Sequence, residues 1–201
     1  MDLESALLHL QQDTKLHGII QKTGIPPFSP SGNVYVDLLE SIVSQQLSIK
    51  AAATIFSRFR ALFPEEYPHP QLLANVNPEL LRNAGVSNQK ATYLKNVARF
   101  TMENDLTHFN WNNLSDTSVI QFLTQIKGVG RWTAEIVLIF TLGRPDILPV
   151  DDLGIQQAMV KLYNLPESGK NLHARMQEVA EPWRPYRSLA CRYLWHWKDN
   201  K

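Results

Sequence analysis

Apolar residues recur along this chain at helical spacing almost throughout. Leu3, Ala6, Leu7 and Leu10 fall at i, i+3, i+4 and i+7, as do Ala52, Ile55, Phe56 and Phe59. Val119, Phe122, Leu123 and Ile126 repeat the pattern, then Ile155, Ala158, Met159 and Leu162. Near the C-terminus Tyr186, Leu189, Ala190, Tyr193, Leu194 and Trp197 carry one stripe through three turns. No strict alternation runs long enough to demand a sheet, so the pattern predicts an all-α protein. Breakers at Gly24 to Pro27, Pro64 to Pro70, Gly128-Val129-Gly130, Gly143-Arg144-Pro145, and Pro182 with Pro185 punctuate about eight to ten short helices. There is no internal repeat, which excludes a solenoid.

Two stretches read as joints: Pro26 to Asn33, and the proline-bearing, non-periodic connector Gly143 to Pro149. They predict two lobes. Residues 34–145 form a middle helical bundle, and residues 1–33 with 146–201 form a second. A cleft between two such lobes is the natural place for a site.

Composition narrows the function classes. Apolar residues make up 44% of the 201 positions, enough to fill a core, and disorder is excluded. Twenty Lys/Arg against nineteen Asp/Glu leave a formal charge of +1, so a nucleic-acid site would have to be a local patch. The single cysteine, Cys191, rules out an internal disulfide, a four-cysteine iron–sulfur cluster and a cysteine-rich zinc site. The acidic start and the shortness of the longest purely apolar stretch, Ile136 to Phe140, predict a soluble intracellular protein with no membrane association. The six histidines show no metal-ligand spacing, and no catalytic metal is expected.

Two motifs carry candidate chemistry. Between Phe122 and Ala134 a helix ends, a Gly128-Val129-Gly130 turn follows, and another helix opens near Arg131. Two glycines one residue apart permit positive φ and close approach of another surface. The amides of Gly128, Gly130 and the next helix's first turn, through Thr133, would then face outward with the positive end of the helix dipole, a phosphate-sized anion site. An ordinary αα-hairpin with a glycine C-cap has the same pattern. About twenty residues on, Pro149-Val150-Asp151-Asp152 opens an amphipathic helix. Either aspartate serves as an N-cap, but a carboxylate at a helix N-terminus beside a cleft also suits a developing positive charge.

Taken together, the hairpin, the spacing and the Pro-Val-Asp-Asp opening resemble the helix-hairpin-helix DNA glycosylases. Gly130-Arg131-Trp132-Thr133-Ala134, the doubled Asp151-Asp152 and the late Pro182-Trp183-Arg184-Pro185-Tyr186 look like the alkylpurine branch, DNA-3-methyladenine glycosylase II. The resemblance runs from about Val36 to the C-terminus. It implies the two-lobed helix-hairpin-helix fold with an interlobe cleft, the hairpin spanning about residues 122–134. It further implies a monomeric base-excision-repair enzyme that flips an alkylated purine of the 3-methyladenine or 7-methylguanine type out of double-stranded DNA and hydrolyses its N-glycosidic bond, leaving an abasic site. The family's essential aspartate falls at Asp152, which leaves Asp151 a cap or a supporting group. Relatives often carry an N-terminal β domain; helix from the start predicts its absence here.

The resemblance also assigns supporting residues. Bifunctional relatives bear a lysine nucleophile where this chain has Trp132, so a monofunctional hydrolase is expected. Trp132 and Trp183 match positions lining the base pocket, where electron-rich rings attract a cationic purine; core packing is the alternative for both. Gln45-Gln46 interrupts the stripe of Leu39, Ile42 and Val43, and Gln46 matches the wedge that fills the gap left by the extruded nucleotide. A solvated turn or capping network is the plainer reading of that pair. Relatives hold a monovalent cation, Na+ or K+, on hairpin carbonyls, here those of Thr124, Ile126 and Val129; no other cofactor is implied. Arg131 is the best side chain for phosphate, and the C-terminal stretch 181–201, with a net charge of +3, offers Arg184, Arg187 and Arg192 as a weak basic rim.

Overall fold

The computed structural model describes residues 2–24 and 26–199. Among them there is no strand. Twelve α-helices form: α1 Leu3–Leu10, α2 Thr14–Thr23, α3 Val34–Ser44, α4 Ile49–Arg60, α5 Pro70–Asn75, α6 Pro78–Asn83, α7 Asn88–Asn104, α8 Asp116–Leu123, α9 Arg131–Ile136, α10 Leu153–Tyr163, α11 Gly169–Ala180 and α12 Arg187–Asp199. The expected number was smaller because α5 and α6 are too short to show a period. Their starts are set by proline at the first turn, where no N–H is lost to the helix.

Most helices begin at a residue whose side chain accepts an otherwise unmet amide of the first turn. Asp2, Asp13, Asn33, Ser48, Asn77, Ser87, Ser115 and Asp152 all do so. The hairpin helix α9 differs: its N-cap is Gly130, which has no side chain to offer.

The chain divides into two compact units, Met1–Pro30 with Leu138–Lys201, and Ser31–Val137. The first division lies inside the expected joint. The second lies before Gly143 to Pro149, because that connector belongs to the first unit. Ile147 and Leu148 are buried there, the Ile147 amide donates to Ser188 Oγ, and the Ser188 amide donates to the Pro145 carbonyl. The division instead coincides with the start of a π-helical segment, Val137–Thr141, that continues α9.

In the first unit α1, α2, α10, α11 and α12 enclose Leu10, Leu16, Ile155, Met159, Met176, Trp183, Tyr193 and Leu194. The predicted stripe of α12 is buried over Leu189, Ala190, Tyr193 and Leu194. At the base of this core Asp13 accepts from the Tyr163 hydroxyl at 2.7 Å and the Trp183 indole at 3.0 Å, besides capping α2. Burial works against ionising Asp13, but the Leu16 amide, the indole and the hydroxyl outweigh it and hold the carboxyl below its ordinary range. In the second unit α7 is the spine: α3, α5 and α6 pack on it, and Leu38, Leu39, Ile42, Leu73, Leu81 and Leu94 fill the space between. Each such fully buried side chain contributes about 1.5–3 kcal/mol.

Candidate active site

Asp152 ends the Pro149-Val150-Asp151 turn and opens α10. Its amide donates to the Pro149 carbonyl at 3.0 Å, and the residue is 9% exposed. Oδ1 accepts two donors at 2.8 Å each, the Ile155 amide and the indole N–H of Trp195 on α12. A backbone and a side-chain donor thus both hold Oδ1, at the positive end of the α10 dipole. Gly154 makes room for this: a Cβ there would lie 3.0 Å from Trp195 Cδ1 and 3.0 Å from Asp152 Oδ1. Asp151 is placed apart from this bond network, half exposed, with His173 Nδ1 3.7 Å from its Oδ1. The cap is thus Asp152 itself.

An aromatic wall extends from Trp195. Phe140 packs on it at 5.3 Å between ring centroids, and Phe28 meets Phe140 edge-on at 6.4 Å. Phe28 and Phe140 stay 38% and 40% exposed, and Leu153, beside Asp152, is exposed as well. The back of Phe28 is covered by Arg192, whose guanidinium sits 4.0 Å over the ring and donates to the Pro26 carbonyl. Burial pushes this guanidinium below the usual arginine range.

In the second unit, Ile126 and Val129 are buried at the hairpin, and the Val129 amide donates to the Ile126 carbonyl at 2.9 Å. Gly128 has φ 110°, and a Cβ there would lie 2.3 Å from Tyr93 Cγ. Gly130 is extended, at φ −93°, and a Cβ there would meet nothing within 4 Å. So only the first glycine is demanded by conformation, while the second keeps the mouth of α9 bare. Arg131, mostly exposed, pairs through Nε with Glu135 at 2.8 Å. The Gln45–Gln46 turn ends α3: Gln46 is exposed, with φ 59°. Lys90 Nζ donates to the carbonyls behind it, Val43 at 2.8 Å and Gln45 at 2.7 Å.

The family described as HhH-GPD superfamily base excision DNA repair protein matches residues 39–185, a span that holds the Gln45–Gln46 turn, the hairpin and Asp152. The chain belongs to that family. Among similar proteins, DNA-3-methyladenine glycosylase 1 of Schizosaccharomyces pombe is 37% identical over 80% of this chain and 71% of its own length. The putative DNA-3-methyladenine glycosylase YfjP of Bacillus subtilis is 31% identical over 96% of this chain and 68% of its own. A solved structure of the S. pombe 3-methyladenine DNA glycosylase in complex with abasic DNA superposes with a TM-score of 0.83 at 32% identity, covering 95% of each chain. The all-α helix-hairpin-helix glycosylase fold is thus established.

Some residues expected at the site of this HhH-GPD chain hold other positions. Trp183 is 1% exposed, sunk in the core of its unit with its indole N–H on Asp13 and its ring against Tyr163, so no face is presented to a base. Its flanking prolines resemble a pocket motif, but the ring between them is buried. Trp132, by contrast, is half-buried in the first turn of α9. Thr133 is 2% exposed, backbone included, so it is not presented for a phosphate. The basic rim does not form: Arg184 and Arg187 both bind Asp146, Arg184 also binds Glu181, and Arg192 is buried. Sequence reasoning missed Trp195, Phe140 and Phe28. Trp195 lies off the stripe of α12, and the only local signal was the glycine two residues after Asp152, whose purpose is visible once the indole is seen above it.

Proposed function

We propose that this chain is a monofunctional DNA-3-methyladenine glycosylase of the type II branch, acting within the cell as a monomer on alkylated purines in double-stranded DNA. The observation that carries this reading is the Asp152 carboxylate, oriented by Trp195 and Ile155 at the head of α10 beside the exposed rings of Phe140 and Phe28. Breaking the N-glycosidic bond leaves positive charge on the sugar, and N3- or N7-alkylation already makes the base a good leaving group. Asp152 stabilises that charge and orients or deprotonates the attacking water. At ~4 Å and an effective dielectric of about 20 the attraction is about 4 kcal/mol, or roughly three decades of rate. No lysine stands at position 132, which suits hydrolysis by water rather than a Schiff base.

The wall of Trp195, Phe140 and Phe28 offers ring faces to a flipped cationic purine, worth ~0.5–2 kcal/mol for each well-placed ring, and Trp132, half-buried at the hairpin, is a further ring of this kind. The uncapped start of α9, with Gly128, Gly130 and the Arg131 side chain, receives a phosphate. Gln46, backed by Gln45, enters the gap left in the duplex. The oxygen donors of Thr124, Ile126 and Val129 suit Na+ or K+; the Ile126 carbonyl keeps one lone pair for it after accepting from Val129. That ion would attract a phosphate to the hairpin.

A duplex oligonucleotide carrying one 7-methylguanine tests the reading. Wild type is expected to release free base and leave an alkali-labile site, and Asp152→Asn to bind the duplex without release. Tight binding by wild type with no release would mark a non-catalytic DNA-binding module instead. Nicking without alkali would mark a lyase.

A further inference from the structure

Helix α7 presents Lys90, Tyr93 and Asn96 at three-residue spacing, hence along one face. Each engages a turn of its own unit. Lys90 Nζ donates to the carbonyls of Val43, in the last turn of α3, and of Gln45, its C-cap, at 2.8 and 2.7 Å. These carbonyls have no partner inside α3 and stand at the negative end of its dipole, where an ammonium is favoured. Tyr93 occupies the space a side chain at Gly128 would need, and Gln89 Nε2 donates to its hydroxyl at 2.7 Å. Asn96 Nδ2 donates to the Lys127 carbonyl at 3.0 Å. One stripe of α7 thus holds both the turn that ends α3 and the hairpin.

The held turn is unusual. Gln46 sits at φ 59°, a conformation uncommon for a non-glycine residue, and the turn closes with the Leu47 amide on the Ser44 carbonyl at 3.1 Å. Past it the chain exposes Leu47 and, at 87%, Ile49. An exposed turn in this conformation persists only if its surroundings fix it, and Lys90 is the side chain that bonds to its inner edge. Resting on the glycosylase reading above, we propose that Lys90 is a positioning residue that locks the Gln45–Gln46 turn at a set spacing from the Gly128 hairpin. The duplex is then probed by a turn in fixed register with the phosphate grip. Lys90 acts through the turn and touches neither base nor sugar.

Single-turnover base release from two substrates tests this. In one, 7-methylguanine is paired with cytosine; in the other it lies in a single-nucleotide bulge, where extrusion costs little. Lys90→Met, which loses both charge-assisted hydrogen bonds to the turn, is expected to slow release from the paired duplex at least tenfold, and to leave release from the bulge within about twofold. Lys90→Arg, which keeps donors for both carbonyls, should restore most of the paired rate. Unchanged release from the paired duplex, or equal slowing on both substrates, overturns the proposal. If Lys90→Met does not fold, Lys90→Gln, with a donor for one carbonyl, carries the same comparison, and a wild-type ratio of paired to bulged rates then overturns it. A wild type that releases base from neither substrate sinks the glycosylase reading itself, whereas an active wild type matched by its Lys90 variants sinks the positioning role alone.

Discussion

The indole N–H of Trp195 donates to Asp152 Oδ1 at 2.8 Å, tying the last helix to the head of α10. Because Oδ1 also caps α10 through Ile155, the indole and the helix amide together fix that oxygen, and losing the indole loosens it. Trp195→Phe keeps an aromatic ring over Gly154 but loses this donor. A hydrogen bond to a charged group is worth ~1.5–3 kcal/mol, so base release should slow by roughly 10–100-fold, with duplex affinity nearly unchanged. Gly154→Ala should act the same way by pushing the ring aside, since its Cβ would lie 3.0 Å from Trp195 Cδ1. Single-turnover rates set against binding titrations check both, and an unaltered rate in Trp195→Phe would remove the indole from the mechanism.

Asp152 serves two ends, and two substitutions separate them. Asparagine retains an oxygen for the Ile155 amide, so Asp152→Asn should abolish base release while thermal stability stays close to wild type. Alanine loses the cap and should cost about 1 kcal/mol of stability in addition. Denaturant unfolding of the pair, alongside base release, measures the two roles independently. Equal, large destabilisation in both variants would mean that the charge itself is structural.

How far the chain could be read in advance depended on whether a signal was periodic or spatial. The stripes of α10 and α12 lie within a few turns of sequence, and Ile155, Ala158 and Met159 on the one and Leu189, Ala190, Tyr193 and Leu194 on the other are buried as their spacing predicts, whereas Arg192, off the stripe, is buried against that expectation. Trp183 is expected at the pocket and found in the core because a tryptophan between two prolines has no periodicity to show which way it faces; its indole bonds to Asp13, 170 positions away. Phe28 and Phe140 carry no local signal for the same reason, one lying in a proline-rich loop and the other at the end of an apolar run, brought together only by the fold. The arginines of the C-terminal stretch looked like a basic rim until Asp146, in the connector, was seen to take two of them.

The two hairpin glycines should respond differently to alanine. Gly128→Ala forces a side chain into φ 110° and against Tyr93, a 2.3 Å clash with ring and Cβ atoms, so it should destabilise by more than about 1 kcal/mol and disturb the hairpin. Gly130→Ala meets no neighbour within 4 Å and has ordinary φ, so its stability should be within about 0.5 kcal/mol of wild type. Its effect should appear instead in duplex affinity, because the new methyl stands where a phosphate would approach the bare amides of α9. Thermal unfolding and DNA titration of both variants make the contrast. Wild-type affinity in Gly130→Ala would place the phosphate elsewhere.

Asp13 gives the first unit a pH-dependent tie. The Leu16 amide, the Trp183 indole and the Tyr163 hydroxyl together overcome the opposing effect of burial and keep its carboxyl below the ordinary value of 3.8. A carboxyl whose folded pKa is depressed contributes stability that is fully present above the unfolded pKa and is lost as pH falls through the folded one. Wild type should therefore be more stable than Asp13→Asn at neutral pH, with the gap narrowing below about pH 4. Trp183→Phe, lacking the N–H, should lose part of the same pH dependence while leaving base release unaffected, since its ring lies in the core and away from Asp152's bonds. Unfolding curves across pH 3–7 and release rates for the Trp183 variant test both statements. A gap that widens toward acid would reverse the sign of the Asp13 contribution, and a large loss of base release in stably folded Trp183→Phe would return that tryptophan to the substrate.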